Sequence, residues 1–102
     1  MKAMIRNWNS WVNETRPDIL MSKYKNQLQE SGFKIVDTSV HFFDPFGFTA
    51  LFLLSESHFA IHTFPEEGKS YLELSSCVDA PFDRFLMIEK GKKDADTLDA
   101  DV

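Results

Sequence analysis

The chain holds one cysteine, Cys77, so no internal disulfide can staple it. A lone thiol suits a reducing compartment, where it serves either as a small buried hydrophobe or in chemistry. Long apolar runs are also missing: none reaches the length that spans a bilayer, and the first residues lack the charged-then-apolar pattern of a secretory leader. The expectation is a cytoplasmic protein with no membrane partner. Positive charge is in deficit, with a net charge of −5. Asp94, Asp96, Asp99 and Asp101 outnumber Lys92 and Lys93 in the last stretch. Nucleic acid and anionic lipid would repel such a chain, so neither is an expected partner. Without repeats or an internal linker, the sequence reads as one domain over residues 1–90, followed by an acidic, disordered tail over 91–102.

What is present is apolar and aromatic. Hydrophobic residues make up 43% of 102 residues and include ten phenylalanines, enough for a small core. Residues 4–13, with Trp8, Trp11 and Val12, read as a first strand despite their asparagines. Thr15-Arg16-Pro17-Asp18 has the form of a capping box, with Thr15 as the cap and Pro17 in the first turn. Leu20, Tyr24 and Leu28 recur on one helical face, and Gly32 stands where a left-handed residue would stop the helix.

Phe33 to Phe43 alternates as a strand, and Asp44-Pro45-Phe46-Gly47 has the chemistry of a turn. Phe48 to Leu54 is apolar enough for a central strand. Glu56-Ser57-His58 interrupts it, and Phe59 to Phe64 resumes. Pro65 to Gly68 turns the chain, Lys69 to Cys77 returns, and Asp79-Ala80-Pro81 opens a second helix carrying Phe82, Phe85 and Leu86. The fold class is therefore α+β, an antiparallel meander with one or two helices on one face. The other face of so small a sheet needs cover, and a second copy of the chain is the expected cover.

Hairpin pairing across Pro65–Gly68 sets Phe64 opposite about Lys69, a register sum of roughly 133. Cys77 then lies opposite residues 55–58, beside Ser57 in space though distant in sequence. His62 is five extended residues from Ser57, roughly 16 Å. A site shared by both needs a sharp bend or a His62 from a second protomer. His58 and His62 have the i, i+4 spacing of helical zinc sites, but a strand sets them roughly 13 Å apart, so no metal is expected. A serine-hydrolase triad fails for want of a Gly-x-Ser-x-Gly elbow. Taken one at a time, Ser57 is a loop serine, Cys77 is core filler, and Phe43, Phe46, Phe48 and Phe64 are core.

Taken together, Phe43-Asp44-Pro45-Phe46-Gly47-Phe48-Thr49, Glu56-Ser57-His58, His62, Pro65-Glu66 and Cys77 resemble the pyruvoyl-dependent S-adenosylmethionine decarboxylase proenzymes of bacteria and archaea. The close resemblance covers about residues 33–80. It implies that Ser57 attacks the Glu56 carbonyl, that the chain cuts itself between Glu56 and Ser57, and that Ser57 becomes a pyruvoyl group. That group would form a Schiff base with the substrate amine. By the same resemblance His62 is the processing base, Thr49 the processing hydroxyl in place of the family's serine, and Cys77 the proton donor. Phe43 and Phe64 match adenine-stacking positions, and Glu66 matches the ribose-binding acid. The implied substrate is S-adenosylmethionine, the product the aminopropyl donor for spermidine synthesis, and the assembly a homodimer of cleaved protomers.

Three features depart from the family pattern. Thr49 adds a methyl group that crowds the processing site. The first strand is rich in asparagine, and the stretch after Cys77 is short for a last helix and a last strand, which could weaken a dimer. Two alternatives stay open: a homologue that decarboxylates ornithine or arginine, and a non-catalytic nucleoside-binding or regulatory relative.

Overall fold

A computed structural model describes residues 4–100, with side chains through residue 92. The elements are β1 (Arg6–Val12), α1 (Pro17–Ser31), β2 (Ile35–Phe42), β3 (Phe48–Leu54), β4 (Ser57–Phe64), a 3-10 turn (Pro65–Glu67), β5 (Lys69–Ser76) and α2 (Asp79–Ala100). The five strands form one antiparallel sheet in the order β1-β5-β4-β3-β2. Strands β2 to β5 are the expected meander. β1 and β2 lie at opposite edges, so the connection through α1 crosses the sheet.

Alternation along the strands separates two faces. Phe48, Ala50, Phe52 and Leu54 of β3, Phe59 and Ile61 of β4, and Leu72 and Leu74 of β5 are buried under the helices. From above, α1 contributes Leu20, Tyr24 and Leu28, and α2 contributes Phe82 and Phe85. Phe59 is the hub of this layer, its ring meeting those of Tyr24, Phe52 and Phe85. Among the described residues, no element covers the opposite face. There Leu51, Leu53 and Trp11 are about half exposed, at 48%, 53% and 53%.

The helices are fastened to each other by polar contacts. Gln27 donates to the buried carboxylate of Glu89 at 2.9 Å, the Tyr24 hydroxyl donates to it at 3.4 Å, and Lys92 donates to the Gln27 side-chain oxygen at 2.9 Å. Burial and the Glu89 carboxylate push the Tyr24 phenol well above its ordinary range, so it stays protonated. Gly32 closes α1 in the left-handed region, at φ 102°, and Arg84 of α2 donates to the Ser31 carbonyl at 2.8 Å.

The start of α1 differs from the capping-box expectation. Arg16 is the N-cap and makes no side-chain cap bond, while Pro17 takes the first helical position. Glu14 instead orders the segment that leads into the helix. Its carboxylate accepts from the backbone of Thr15 and Arg16 and from the Arg16 guanidinium. The hydrogen bond from Arg16 holds that carboxyl down at about 2. At the other end, α2 runs on through Ala100, past residue 90, where structure was expected to stop. Lys92 belongs to its contact with α1, so the stretch expected to be a loose tail begins as helix; residues 101–102 lie outside the described range. Among the described residues, no helix is long and apolar enough to cross a membrane.

Candidate active site

The interruption around Ser57 is shorter than the sequence suggests. Ser55 and Glu56 alone make the reversal, and Ser57 and His58 already belong to β4. The two-residue turn requires a left-handed residue, and Glu56 takes it at φ 61°. For a side chain with a Cβ this backbone costs about 1–2 kcal/mol. The strain therefore sits on the residue whose carbonyl begins the Glu56–Ser57 peptide bond.

That carbonyl is held from the neighbouring strand. β4 and β5 pair with the expected register sum, Ser57 opposite Ser76, which puts Cys77 beside Glu56. The Glu56 oxygen accepts from the Cys77 backbone N–H at 3.3 Å and from the Cys77 thiol at 2.8 Å. Ser57 points to the helix side and is buried. Its hydroxyl donates to Ser76 Oγ at 2.7 Å, while Ser76 Oγ accepts from the Val78 N–H at 3.1 Å. Ser76 was not singled out in the sequence, although the register sum already paired it with Ser57. Glu56, Ser57, His58, Ser75, Ser76 and Cys77 line a cleft of about 180 Å³ with Ile5.

A second cleft, of about 360 Å³, opens at the opposite end of β3 and β4. Phe43, Phe46, Gly47, Thr49, His62, Phe64 and Glu66 line it with Thr63. Thr49 and His62 are directly paired across the strands, and Thr49 Oγ1 lies 2.9 Å from His62 Nδ1. Phe43 is 51% exposed and Phe46 53%, so neither is core; only Phe48 of that cluster is fully buried. The turn that carries them is pinned to β4. Phe48 N–H donates to Thr63 Oγ1 at 2.8 Å, and Phe43 N–H donates to the Gly47 carbonyl at 2.9 Å. Gly47 has φ 100°, and a Cβ there would stand 3.3 Å from the Thr63 carbonyl, so a side chain is doubly disfavoured. His41, not singled out in the sequence, packs edge-on against the Phe43 ring at 4.6 Å.

The implied site residues thus fall into two groups. Glu56, Ser57 and Cys77 are at one end of the sheet; Thr49, His62, Phe43, Phe64 and Glu66 are at the other. β4 pairs without interruption from Ser57 to Phe64, so no bend folds His62 back toward Ser57. The two residues also sit at positions of opposite parity, which places them on opposite faces. Among the described residues, no three His, Cys, Asp or Glu side chains gather as a metal site.

Comparison with known proteins gives this arrangement a context. The family model for S-adenosylmethionine decarboxylase matches residues 15–92. The S-adenosylmethionine decarboxylase proenzyme of Thermosipho africanus is 42% identical over 55 residues, which cover 54% of this chain and 42% of that protein. Its namesake in Fervidobacterium nodosum is 36% identical over 75 residues (72% and 55%). The one in Thermotoga maritima is 36% identical over 78 residues (74% and 59%). The chain therefore spans about half the length of the curated relatives it matches. A crystal structure of the adenosylmethionine decarboxylase from Aquifex aeolicus superposes with a TM-score of 0.58 at 19% identity, covering 81% of this chain and 74% of that one, a likeness of fold. With the family model spanning most of its length, this chain belongs to the S-adenosylmethionine decarboxylase family.

Proposed function

We propose that this chain is a self-cleaving proenzyme that decarboxylates S-adenosylmethionine, and that two copies build each working site. The observation that carries the reading is the Glu56–Ser57 peptide. Its carbonyl belongs to a residue with a strained backbone and is already bound by two donors from Cys77. Donors preset on a carbonyl oxygen stabilise the negative charge that grows there when a nucleophile attacks.

In cleavage, the Ser57 hydroxyl gives up its proton and bonds to the Glu56 carbonyl carbon. The peptide C–N bond breaks, and the Ser57 nitrogen leaves protonated, so an ester replaces the amide. A base then takes the Ser57 α-proton, and the Cβ–Oγ bond breaks to release Glu56 as a carboxylate. Water replaces the Ser57 nitrogen, which departs as ammonia. The geometry fits this outcome: Ser57 opens β4 and stays held by its pairing with Ser76 after a cut on its N-terminal side. The pyruvoyl group so formed supplies a carbonyl that binds the substrate amine and takes up the electron pair left by carbon dioxide. Cys77, at the cut point, returns a proton to the substrate Cα.

His62 is the base in this scheme, and its proton arrangement follows from Thr49. If His62 Nδ1–H donates to Thr49 Oγ1, then Nε2 carries the free lone pair, and the Thr49 hydroxyl proton is left to steady the oxyanion. Neither residue reaches its own Ser57 along an unbent strand. A copy packed on the open face would bring its Thr49–His62 cleft over the partner's Glu56–Ser57 peptide, approached past His58 and Cys77 because the Ser57 hydroxyl points to the helix side, and would cover Leu51, Leu53 and Trp11. Phe43 and Phe64 then flank the adenine, whose flat ring suits aromatic walls. Glu66 accepts from the ribose hydroxyls. A reducing cytoplasm suits the unpaired thiol that this chemistry uses.

Substrate choice is tested at Glu66, whose removal leaves Ser57 and Cys77 untouched. Glu66→Gln is expected to raise the Michaelis constant for S-adenosylmethionine about tenfold or more, the loss of one or two charge-assisted bonds, while self-cleavage keeps its rate. Carbon dioxide release is the assay. Release from ornithine or arginine and none from S-adenosylmethionine would overturn the substrate assignment.

A further inference from the structure

His62 stands in a row that runs across the whole sheet. On the open face the directly paired positions are His41 with Thr49, Thr49 with His62, His62 with Tyr71, and Tyr71 with Trp11. On one side the His62 ring is tethered at Nδ1 by Thr49. On the other, the Tyr71 ring lies nearly parallel to it, with centroids 6.4 Å apart and planes 22° apart. Trp11 backs Tyr71 at 5.1 Å and also meets Phe64 at 5.9 Å, while the Lys69 ammonium covers Trp11 at 4.7 Å. Partial burial and the Glu73 carboxylate hold the Tyr71 phenol above its ordinary range, so the ring stays neutral.

We propose that Tyr71, backed by Trp11, is a positioning residue for His62: its ring confines the imidazole so that Nδ1 stays on Thr49 and Nε2 stays free to take a proton. A single hydrogen bond fixes one ring atom and leaves the plane free to swing. A flat neighbour across the strand pair removes that freedom, and cross-strand aromatic pairs are the usual means. Trp11 keeps Tyr71 from rotating away and links the same wall to Phe64. The element that holds the base and the one that holds the nucleoside thus share a support, which comes from β1 and β5.

This inference rests on the reading of His62 as the processing base, and its test separates the two. Self-cleavage is timed for the full chain with Tyr71→Ala and Tyr71→Phe. The His62 ring nitrogens are followed by ¹⁵N NMR in full-length Ser57→Ala protein, which cannot cut, with Tyr71 intact and as Tyr71→Ala. Tyr71→Ala is expected to slow cleavage about tenfold or more, since small misplacements of a catalytic group carry such costs. Tyr71→Phe, which keeps the ring, should cleave near the wild-type rate. In the uncut protein His62 should hold one tautomer, protonated at Nδ1, and Tyr71→Ala should mix the two. Tyr71→Ala with wild-type cleavage and an unchanged tautomer would overturn the proposal, as would a Tyr71→Phe variant as slow as Tyr71→Ala. If no chain cleaves at all, the processing reading fails, and mixing of the tautomers in Tyr71→Ala would still support the positioning of His62.

Discussion

Cells that express Ser57→Ala and His62→Ala chains together are expected to yield cleaved protein, whereas either variant alone stays intact. The reason is the distance along β4, which pairs continuously from Ser57 to Phe64 and carries the two residues roughly 16 Å apart. If a partner supplies His62, a mixed dimer contains one site with both residues whole: Ser57 from the His62→Ala chain and His62 from the Ser57→Ala chain. The other site lacks both. Random pairing of equal amounts puts about half of the His62→Ala chains in mixed dimers, so about half of them should cut. Differently tagged chains would show which one is cleaved. A mixture as inert as its components would place His62 and Ser57 of one chain in the same site, and the strand would have to bend.

Cys77 should produce the other large effect, and its two replacements should part company. Cys77→Ala removes the thiol donor from the Glu56 oxygen and leaves only the backbone N–H at 3.3 Å. Loss of one donor to a developing oxyanion costs about a hundredfold to a thousandfold, and a thiol is a weaker donor than most. Self-cleavage is therefore expected to slow about tenfold to a hundredfold. Cys77→Ser keeps an O–H donor and should cleave far faster than the alanine variant. A hydroxyl is nevertheless a poor acid, so the cut Cys77→Ser protein should release carbon dioxide slowly. Cleavage time courses and carbon dioxide release, measured on the same preparations, separate the two roles. A Cys77→Ala chain that cuts at the wild-type rate would reduce the thiol contact to packing.

Much of this arrangement is legible in the sequence because its signals are local. Leu20, Tyr24 and Leu28 at helical spacing and Gly32 beyond them define α1. The turn chemistry of Pro65–Gly68 fixes the β4–β5 register, and with it the neighbourhood of Ser57 and Cys77. What stays hidden depends on partners that the pattern does not name. α1 starts without a side-chain cap, and the Glu14 carboxylate holds the Thr15 and Arg16 N–H groups just ahead of it, where Thr15 is the expected cap. Glu56 adopts a backbone that glycine or asparagine would advertise, so the reversal reads as a longer break. The phenylalanines around Asp44–Gly47 look like core until the turn is seen to hang over the open face. The row from His41 to Trp11 is the least visible feature. It exists only because β1 pairs with β5, and the asparagines that seem to weaken β1 as a strand alternate onto the same uncovered face as Trp11.

Whether the chain makes its own reactive group from Ser57 can be read from the intact mass of the purified wild-type protein. Two polypeptides are expected, residues 1–56 ending in a free carboxylate and residues 57–102. The second should be lighter than a serine-started chain by the mass of one ammonia, because the side-chain oxygen leaves with Glu56 and a carbonyl oxygen replaces the nitrogen, and should gain mass when borohydride and an amine are added. A single species at the full 11.8 kDa after prolonged incubation would contradict self-cleavage.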